Sequence, residues 1–190
     1  GGPGSKGPAS TTPQDVAQVG VVVLQPQDQA LQTTLPGRVR AFQMAEVRPQ
    51  VGGIIQKQLF TEGALVRQGQ ALYQIDATLL QANLSSAQAA LAKAQASFER
   101  QQLQAQRSAQ LVKIAAISAQ QDEDTQAAAR IAQAEVQAAR ASVQVAQTNL
   151  RYARIEAPIA GRISLSNVTP GALVTANQST ALTEVVQIDP

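Results

Sequence analysis

Residues 51–76 read VGGIIQKQLFTEGALVRQGQALYQID. Apolar side chains alternate with polar ones in short runs, and glycines interrupt the runs where a chain can fold back with positive φ. Residues 155–189 read IEAPIAGRISLSNVTPGALVTANQSTALTEVVQID. Shifting the first stretch by 108 positions puts Val47 on Ile155, Val51 on Ile159, Gly53 on Gly161 and Gly63 on Gly171. It also puts the Gly-Ala-Leu-Val of 63–66 on that of 171–174. After a two-residue offset Ala71-Leu72 falls on Ala181-Leu182, and both copies close with Gln-Ile-Asp. This is an internal repeat. Neither copy carries enough apolar surface to fold alone. The two together predict a small β-sandwich with pseudo-twofold symmetry, the halves stacked face to face over Val, Ile and Leu. Gly53, Gly63, Gly161 and Gly171 are expected to be its structural turns.

Between the copies, residues 77–150 contain neither Gly nor Pro and are rich in Ala, Gln, Leu, Arg and Glu, which favour helix. Leu80, Leu84, Ala87, Leu91, Ala94 and Phe98 recur at steps of four and three, and Ala105 and Val112 continue the row through polar Gln101 and Ser108. Ala129, Ala132, Val136, Ala139, Val143, Ala146 and Leu150 repeat the pattern. Two heptad rows predict two antiparallel helices of about 35 residues, about 50 Å long at 1.5 Å per residue. Ser118 with Gln121 three residues on forms a capping-box pattern, which places the tip near 112–118. Asp122, Glu123 and Asp124 are expected in the first turn, where the helix dipole favours negative charge. A second row on the later arm, Ile131, Ala134, Ala138, Ala141 and Val145, predicts contact with neighbouring hairpins. The fold class is therefore α+β, a sandwich of two half-motifs (47–76 and 151–190) split by a coiled-coil hairpin (77–150).

Residues 1–18, rich in Gly, Pro, Ser and Thr, read as a flexible tether. Residues 19–46 read as extended strands lacking nearby partners. Of 190 residues, 44% are hydrophobic but only 3% aromatic, so thin repetitive packing is expected rather than a deep core. The absence of Cys and His excludes a thiol nucleophile, a His general base and disulfides, as well as the usual structural zinc sites. Net charge is +2 and the basic residues are scattered, which points away from nucleic acid. The glycines at 52, 53, 63 and 69 lack the Lys-Ser/Thr that a phosphate loop needs. No catalytic, cofactor-binding or metal-ligating set is expected, and the chain reads as a non-enzyme.

Two half-motifs closing over one another resemble the lipoyl and biotinyl carrier domains. Those carry a modified lysine at the turn between halves, where this chain has QIDATLL and no lysine. A lipoyl-like sandwich split by a helical hairpin resembles the periplasmic adaptor, or membrane fusion protein, family of the AcrA/MexA type. The stretches that carry the resemblance are LPGRVRAFQMAEVRPQVGGII, EGALVRQGQALYQID, APIAGRISLSNVTPGALV and the final QIDP. The resemblance implies an adaptor in a tripartite RND multidrug efflux pump. Its partners would be an RND inner-membrane transporter, a TolC/OprM-type outer-membrane channel and further copies of itself in a ring of six. It would lie in the periplasm of a Gram-negative bacterium, associated with the inner membrane, its lipid anchor absent from this chain. The family's tip motif, R-x3-L-x6-S, falls on Arg107, Leu111 and Ser118 as channel-contacting residues. Residues 19–46 would be leading strands of a β-barrel and membrane-proximal region. The alternatives are an adaptor of an ABC-type exporter or a secretion system, a lipoyl or biotinyl carrier, and a coiled-coil spacer.

Overall fold

A computed structural model describes residues 42–188. The tether at 1–18, and residues 19–41 of the expected leading strands, lie outside the described residues. The ordered elements are β1 (Met44–Val47), β2 (Gly53–Gln58), β3 (Leu65–Val66), β4 (Ala71–Ile75), α1 (Thr78–Lys113), α2 (Ala119–Tyr152), β5 (Arg154–Glu156), β6 (Gly161–Ile163), β7 (Leu173–Val174) and β8 (Thr183–Val186). The strands form two four-stranded sheets, in the orders β1-β8-β6-β3 and β5-β4-β2-β7, with every pairing antiparallel.

The repeat survives in the pairing. Exchanging β1 with β5, β2 with β6, β3 with β7 and β4 with β8 turns one sheet order into the other. Registers follow: Gly53 faces Val174 and Ile54 faces Leu173, as Gly161 faces Val66 and Arg162 faces Leu65. Loops follow too. The Gly69 N–H donates to the Ala157 carbonyl at 2.9 Å, and the Asn177 N–H to the Pro49 carbonyl at 2.8 Å. Both residues have positive φ, 83° and 55°, a conformation Asn tolerates better than most residues.

Two sequence expectations are corrected here. The halves do not stack as two separate layers: each sends strands to both sheets, and the pairs β2–β7, β3–β6 and β4–β5 all cross between halves. Strands of two to six residues end before they can form a layer, so each turn carries the chain across to the opposite sheet. Met44–Glu46, assigned above to the leading strands, belong to the sandwich: they pair with Glu184–Val186 as Gln74 pairs with Arg154 across the pseudo-symmetric edge. The first half-motif therefore begins at β1.

The core takes Val47, Val66, Ile163, Leu182 and Val185 from one side and Ile55, Leu72, Tyr73, Ile75, Ile155 and Val174 from the other. Tyr73 is its largest fully buried side chain. The Tyr73 hydroxyl shares a 2.7 Å hydrogen bond with Ser166 Oγ and donates to the Leu182 carbonyl at 3.2 Å, which removes the penalty of burying it. Its ring meets Phe60 edge to face at 5.3 Å. The four glycines divide into two kinds. Gly63 and Gly171 are true turns, with φ of 84° and 96°. Gly53 and Gly161 open strands β2 and β6 instead, a correction to their reading as turns. A Cβ at Gly161 would overlap the Val186 carbonyl, so close backbone approach is what demands glycine there.

The helices leave this sandwich with almost no linker. Two residues separate β4 from α1, and one separates α2 from β5. Asp76 Oδ1 accepts from the Thr78 N–H at 3.0 Å and from Thr78 Oγ1 at 2.8 Å, which holds its carboxyl below the usual carboxylate range. The Ile75 N–H donates to the Ala153 carbonyl at 2.8 Å, so the outgoing and returning strands are tied at the root of the hairpin. The 36- and 34-residue helices then run antiparallel for about 50 Å. Every apolar position of the two heptad rows is buried or half-buried.

Candidate functional site

The far end of the hairpin combines exposed chemistry with a defined backbone. Helix α1 ends at Lys113, and the N–H groups of Ile114, Ala115 and Ala116 return to the carbonyls of Leu111 and Val112 at 2.9–3.3 Å. Ala115 takes φ of 59°, the left-handed conformation that reverses the chain. Ser118 is then extended and caps α2: its Oγ accepts from the Gln121 N–H at 3.1 Å, and Gln121 Oε1 accepts from the Ser118 N–H at 2.9 Å. Of the three consecutive acids only Asp122 lies in the first turn of α2. Glu123 and Asp124 lie beyond it and are exposed, which corrects their expected position.

An open groove of about 270 Å³ runs across this end. Gln104, Arg107, Ser108 and Leu111 of α1 form one wall, and Ile117, Gln121 and Thr125 form the other. Arg107 is exposed, and its guanidinium makes no hydrogen bond or ion pair among the described residues. Leu111 is half-buried, its face open to the groove. The structure thus brings Arg107 and Leu111 together, but Ser118 stands outside the groove lining and is engaged in the helix cap. Ile114, beside the left-handed Ala115, is 73% exposed, the highest value among the large apolar side chains of the described chain. An unengaged guanidinium, an apolar slot and amide and hydroxyl groups around it suit a protein surface that offers carbonyl or carboxylate acceptors beside an apolar ridge.

Beneath the groove lies a contact that the sequence reading missed. Ser108, only 5% exposed, donates from Oγ to Asp122 Oδ1 at 2.8 Å across the two arms. Gln126 Nε2 donates to the same oxygen at 3.1 Å and to the Ala105 carbonyl of α1 at 2.8 Å. The signal was a polar residue in a heptad row, but its partner could be named only once the arms were aligned.

A larger recess of about 480 Å³ lies at the hairpin root, between β1, β5 and the end of α2. Its charges are largely satisfied: Arg48 pairs with Glu46 at 2.6 Å and bonds the carbonyls of Gln178 and Ser179, and Arg154 pairs with Glu156. The two ion pairs occupy pseudo-equivalent positions with their signs exchanged. Among the described residues there is no cluster of acidic residues able to hold a metal ion. No helix there is long and apolar enough to cross a membrane.

The family model for the RND MFP barrel-sandwich hybrid domain matches residues 43–187. The chain is 45% identical, over 96% of its own length, to the antibiotic efflux pump periplasmic linker protein ArpA of Pseudomonas putida. It is 46% identical over 94% to multidrug resistance protein MexA of Pseudomonas aeruginosa, and 47% identical over 91% to multidrug export protein AcrE of Escherichia coli. It spans 44%, 43% and 45% of those relatives, less than half the length of each. Among solved structures, a MacA-MexA chimera containing the Pseudomonas aeruginosa MexA α-hairpin domain aligns at TM-score 0.52 and 35% identity, over 77% of this chain and 48% of that one. MacA from Actinobacillus actinomycetemcomitans aligns at TM-score 0.61 and 24% identity, over 78% of this chain and 52% of that one, and shares the fold.

Proposed function

This chain belongs to the RND membrane fusion protein family, and on that premise we propose that it is the sandwich-and-hairpin part of a periplasmic adaptor in a tripartite multidrug efflux pump. In this reading the sandwich is lipoyl-like in form but carries no prosthetic group. The chain binds and bridges rather than catalyses, linking an RND transporter of the inner membrane to an outer-membrane channel of the TolC/OprM type. The observation that carries the proposal is the root-clamped hairpin of about 50 Å that ends in an open groove holding Arg107 and Leu111. A clamped root keeps the tip on a fixed axis, and the groove gives that tip something to hold.

Copies would pack side by side into a ring, six by the family resemblance. Ile131, Ala134, Ala138, Ala141 and Val145, all exposed on α2, would supply the apolar lateral face. Small side chains there let helices approach closely, and each adds only modest buried area at about 25 cal/mol per Å². Ser118 would serve the tip through its cap, and its hydroxyl proton stays free to donate outward.

The test is charge reversal at the tip. Arg107→Glu in the full-length adaptor, produced at the normal level, should abolish drug resistance and cross-linking to the channel while leaving helicity unchanged. Resistance retained at normal expression would remove the docking assignment.

A further inference from the structure

The seam between the arms is rich in alanine: Ala87, Ala94 and Ala105 on α1 face a row holding Ala129, Ala132, Ala139 and Ala146 on α2. Toward the root the rows carry Leu80, Leu84, Leu91 and Phe98 and the arms are tied through Ile75 and Ala153, but in the tip half they hold Ala105 and Ser108 on one arm and Ala129 and Ala132 on the other, where a local shift exchanges one small side chain for another at little loss of buried area. Capping does not solve this, since a cap fixes where a helix starts and not how far it has slid along its partner. In the tip half, far from the tied root, something else must set the level of the two arms.

Among the described residues, the side-chain hydrogen bonds that pass between the arms are two, Ser108 to Asp122 and Gln126 to the Ala105 carbonyl. Within α2, Gln126 Nε2 also donates to the Asp122 oxygen that accepts from Ser108, so the two inter-arm bonds are linked through one side-chain contact. Slippage would strand a buried hydroxyl and break both bonds together, whereas the apolar seam would hardly register the change. A buried polar contact in a coiled-coil core is a known means of fixing register at some loss of stability. The location is equally telling. Ser108 itself lines the groove, and each other partner is the sequence neighbour of a groove residue: Ala105 follows Gln104, Asp122 follows Gln121, and Gln126 follows Thr125. The polar contact joins the two walls of the groove at the level where their side chains stand.

We propose that Ser108, Asp122 and Gln126 form a register pin, positioning residues that hold Arg107 and Leu111 opposite Gln121 and Thr125 so that the tip presents one groove. The pin is a property of the hairpin itself. Its value for docking rests on the proposed function above.

The chain has no cysteine among its 190 residues, so paired spin labels can be placed at Gln110→Cys and Ala119→Cys, one on each arm and both exposed. Pulsed EPR on this chain should give one narrow distance. Ser108→Ala and Asp122→Ala should broaden it or add a population displaced by about 5 Å, one helical turn, with helicity retained. Asp122→Asn keeps a carbonyl oxygen able to accept from both donors and should restore the narrow distance. Val136→Ala, which thins the seam far from the tip, should leave it narrow. An unchanged distribution in Asp122→Ala, or equal broadening in Val136→Ala, overturns the pin. In the full-length adaptor Asp122→Ala should lose channel cross-linking and Asp122→Asn should keep it. Should Arg107→Glu abolish cross-linking while Asp122→Ala does not, the positioning role falls and docking stands. If Arg107→Glu has no effect, docking falls and the distances alone judge the pin.

Discussion

Six side chains of the sandwich, Ile55, Leu72, Tyr73, Ile75, Leu182 and Val185, have no exposed surface, and no side chain of the hairpin reaches that state. The hairpin buries only Leu84, Ala105, Ser108, Ala132, Val136 and Ala146 over its two helices, each with some surface left exposed. The sandwich is fixed by volume. Its strands are too short to be stable alone, but each pairs with the opposite half and turns its apolar face into one closed core. The hairpin is fixed by backbone propensity, a narrow apolar seam and a few polar contacts placed at its ends. Stability thus concentrates at the root and adjustable geometry at the tip.

The largest expected effect tests the sandwich side of this contrast. Tyr73→Ala removes the largest fully buried side chain and should cost about 4 kcal/mol, as for other aromatic truncations in cores. Amide hydrogen exchange of the strands would follow the sandwich while the 222 nm circular dichroism signal follows the hairpin. Loss of both at one temperature would show that the arms depend on the root, and survival of the helical signal would break the contrast. Tyr73→Phe is the sharper variant. Burial pushes the Tyr73 hydroxyl above its ordinary range, partly offset by the bond to Ser166. The raised value in the folded chain means its contribution is whole below pH 10, the unfolded value, and is lost as pH climbs through the folded one. Wild type should therefore lose stability above about pH 10 more steeply than Tyr73→Phe in chemical denaturation.

Two smaller effects probe the hairpin. Val136→Ala removes two methyl groups from the seam and should cost about 1.5 kcal/mol, less than a comparable core truncation because two helices can close over the gap. Hydrogen exchange should report it as faster opening of α1 and α2 with the sandwich amides unchanged. Ser118→Ala removes the cap acceptor and should cost about 1 kcal/mol, read as faster exchange at the first turn of α2 alone. Exchange that spreads to the sandwich in either variant would mean that the two regions unfold as one unit.

What the sequence made legible follows the same division. The heptad rows lie at the seam because a period near 3.6 has a single geometric reading on a helix. Ser118 and Gln121 cap α2 because capping is a local rule. The sandwich was legible as a repeat but not as a topology. Alternation says that a residue such as Val66 points inward, and it does not say which sheet will hold its strand. Met44–Glu46 were read as extended but given to the wrong domain for that reason: they are ordered by Glu184–Val186, which lies over 130 residues later. Gly161 looked like a turn because its reason, the nearby Val186 carbonyl, is equally remote. At the tip, Arg107 and Leu111 stand on one helix, and it was the family's motif, not a local rule, that grouped them. The role of Asp122 could not be read locally either, because its partner Ser108 sits on the other arm.

The smallest expected effect, and the one of opposite sign, is at Ala115. Its φ of 59° lies where an L-residue with a Cβ is disfavoured and glycine is not. Ala115→Gly should relieve that strain and stabilise the hairpin by about 0.5 kcal/mol, since the gain of about 1 kcal/mol in the turn is partly offset by the greater freedom of glycine in the unfolded chain. Slower amide exchange at the end of α1 would be the readout. A sandwich turn offers the comparison. Gly63 has φ of 84° with open space around the position of a Cβ, so Gly63→Ala should destabilise by about 1 kcal/mol from backbone strain alone. If alanine is tolerated at the tip because the tip is soft, Ala115→Gly will yield less than Gly63→Ala takes away. If the two changes are equal and opposite, the tip turn is as rigidly held as the turns of the sandwich, and the division between a fixed root and an adjustable end does not extend to the backbone.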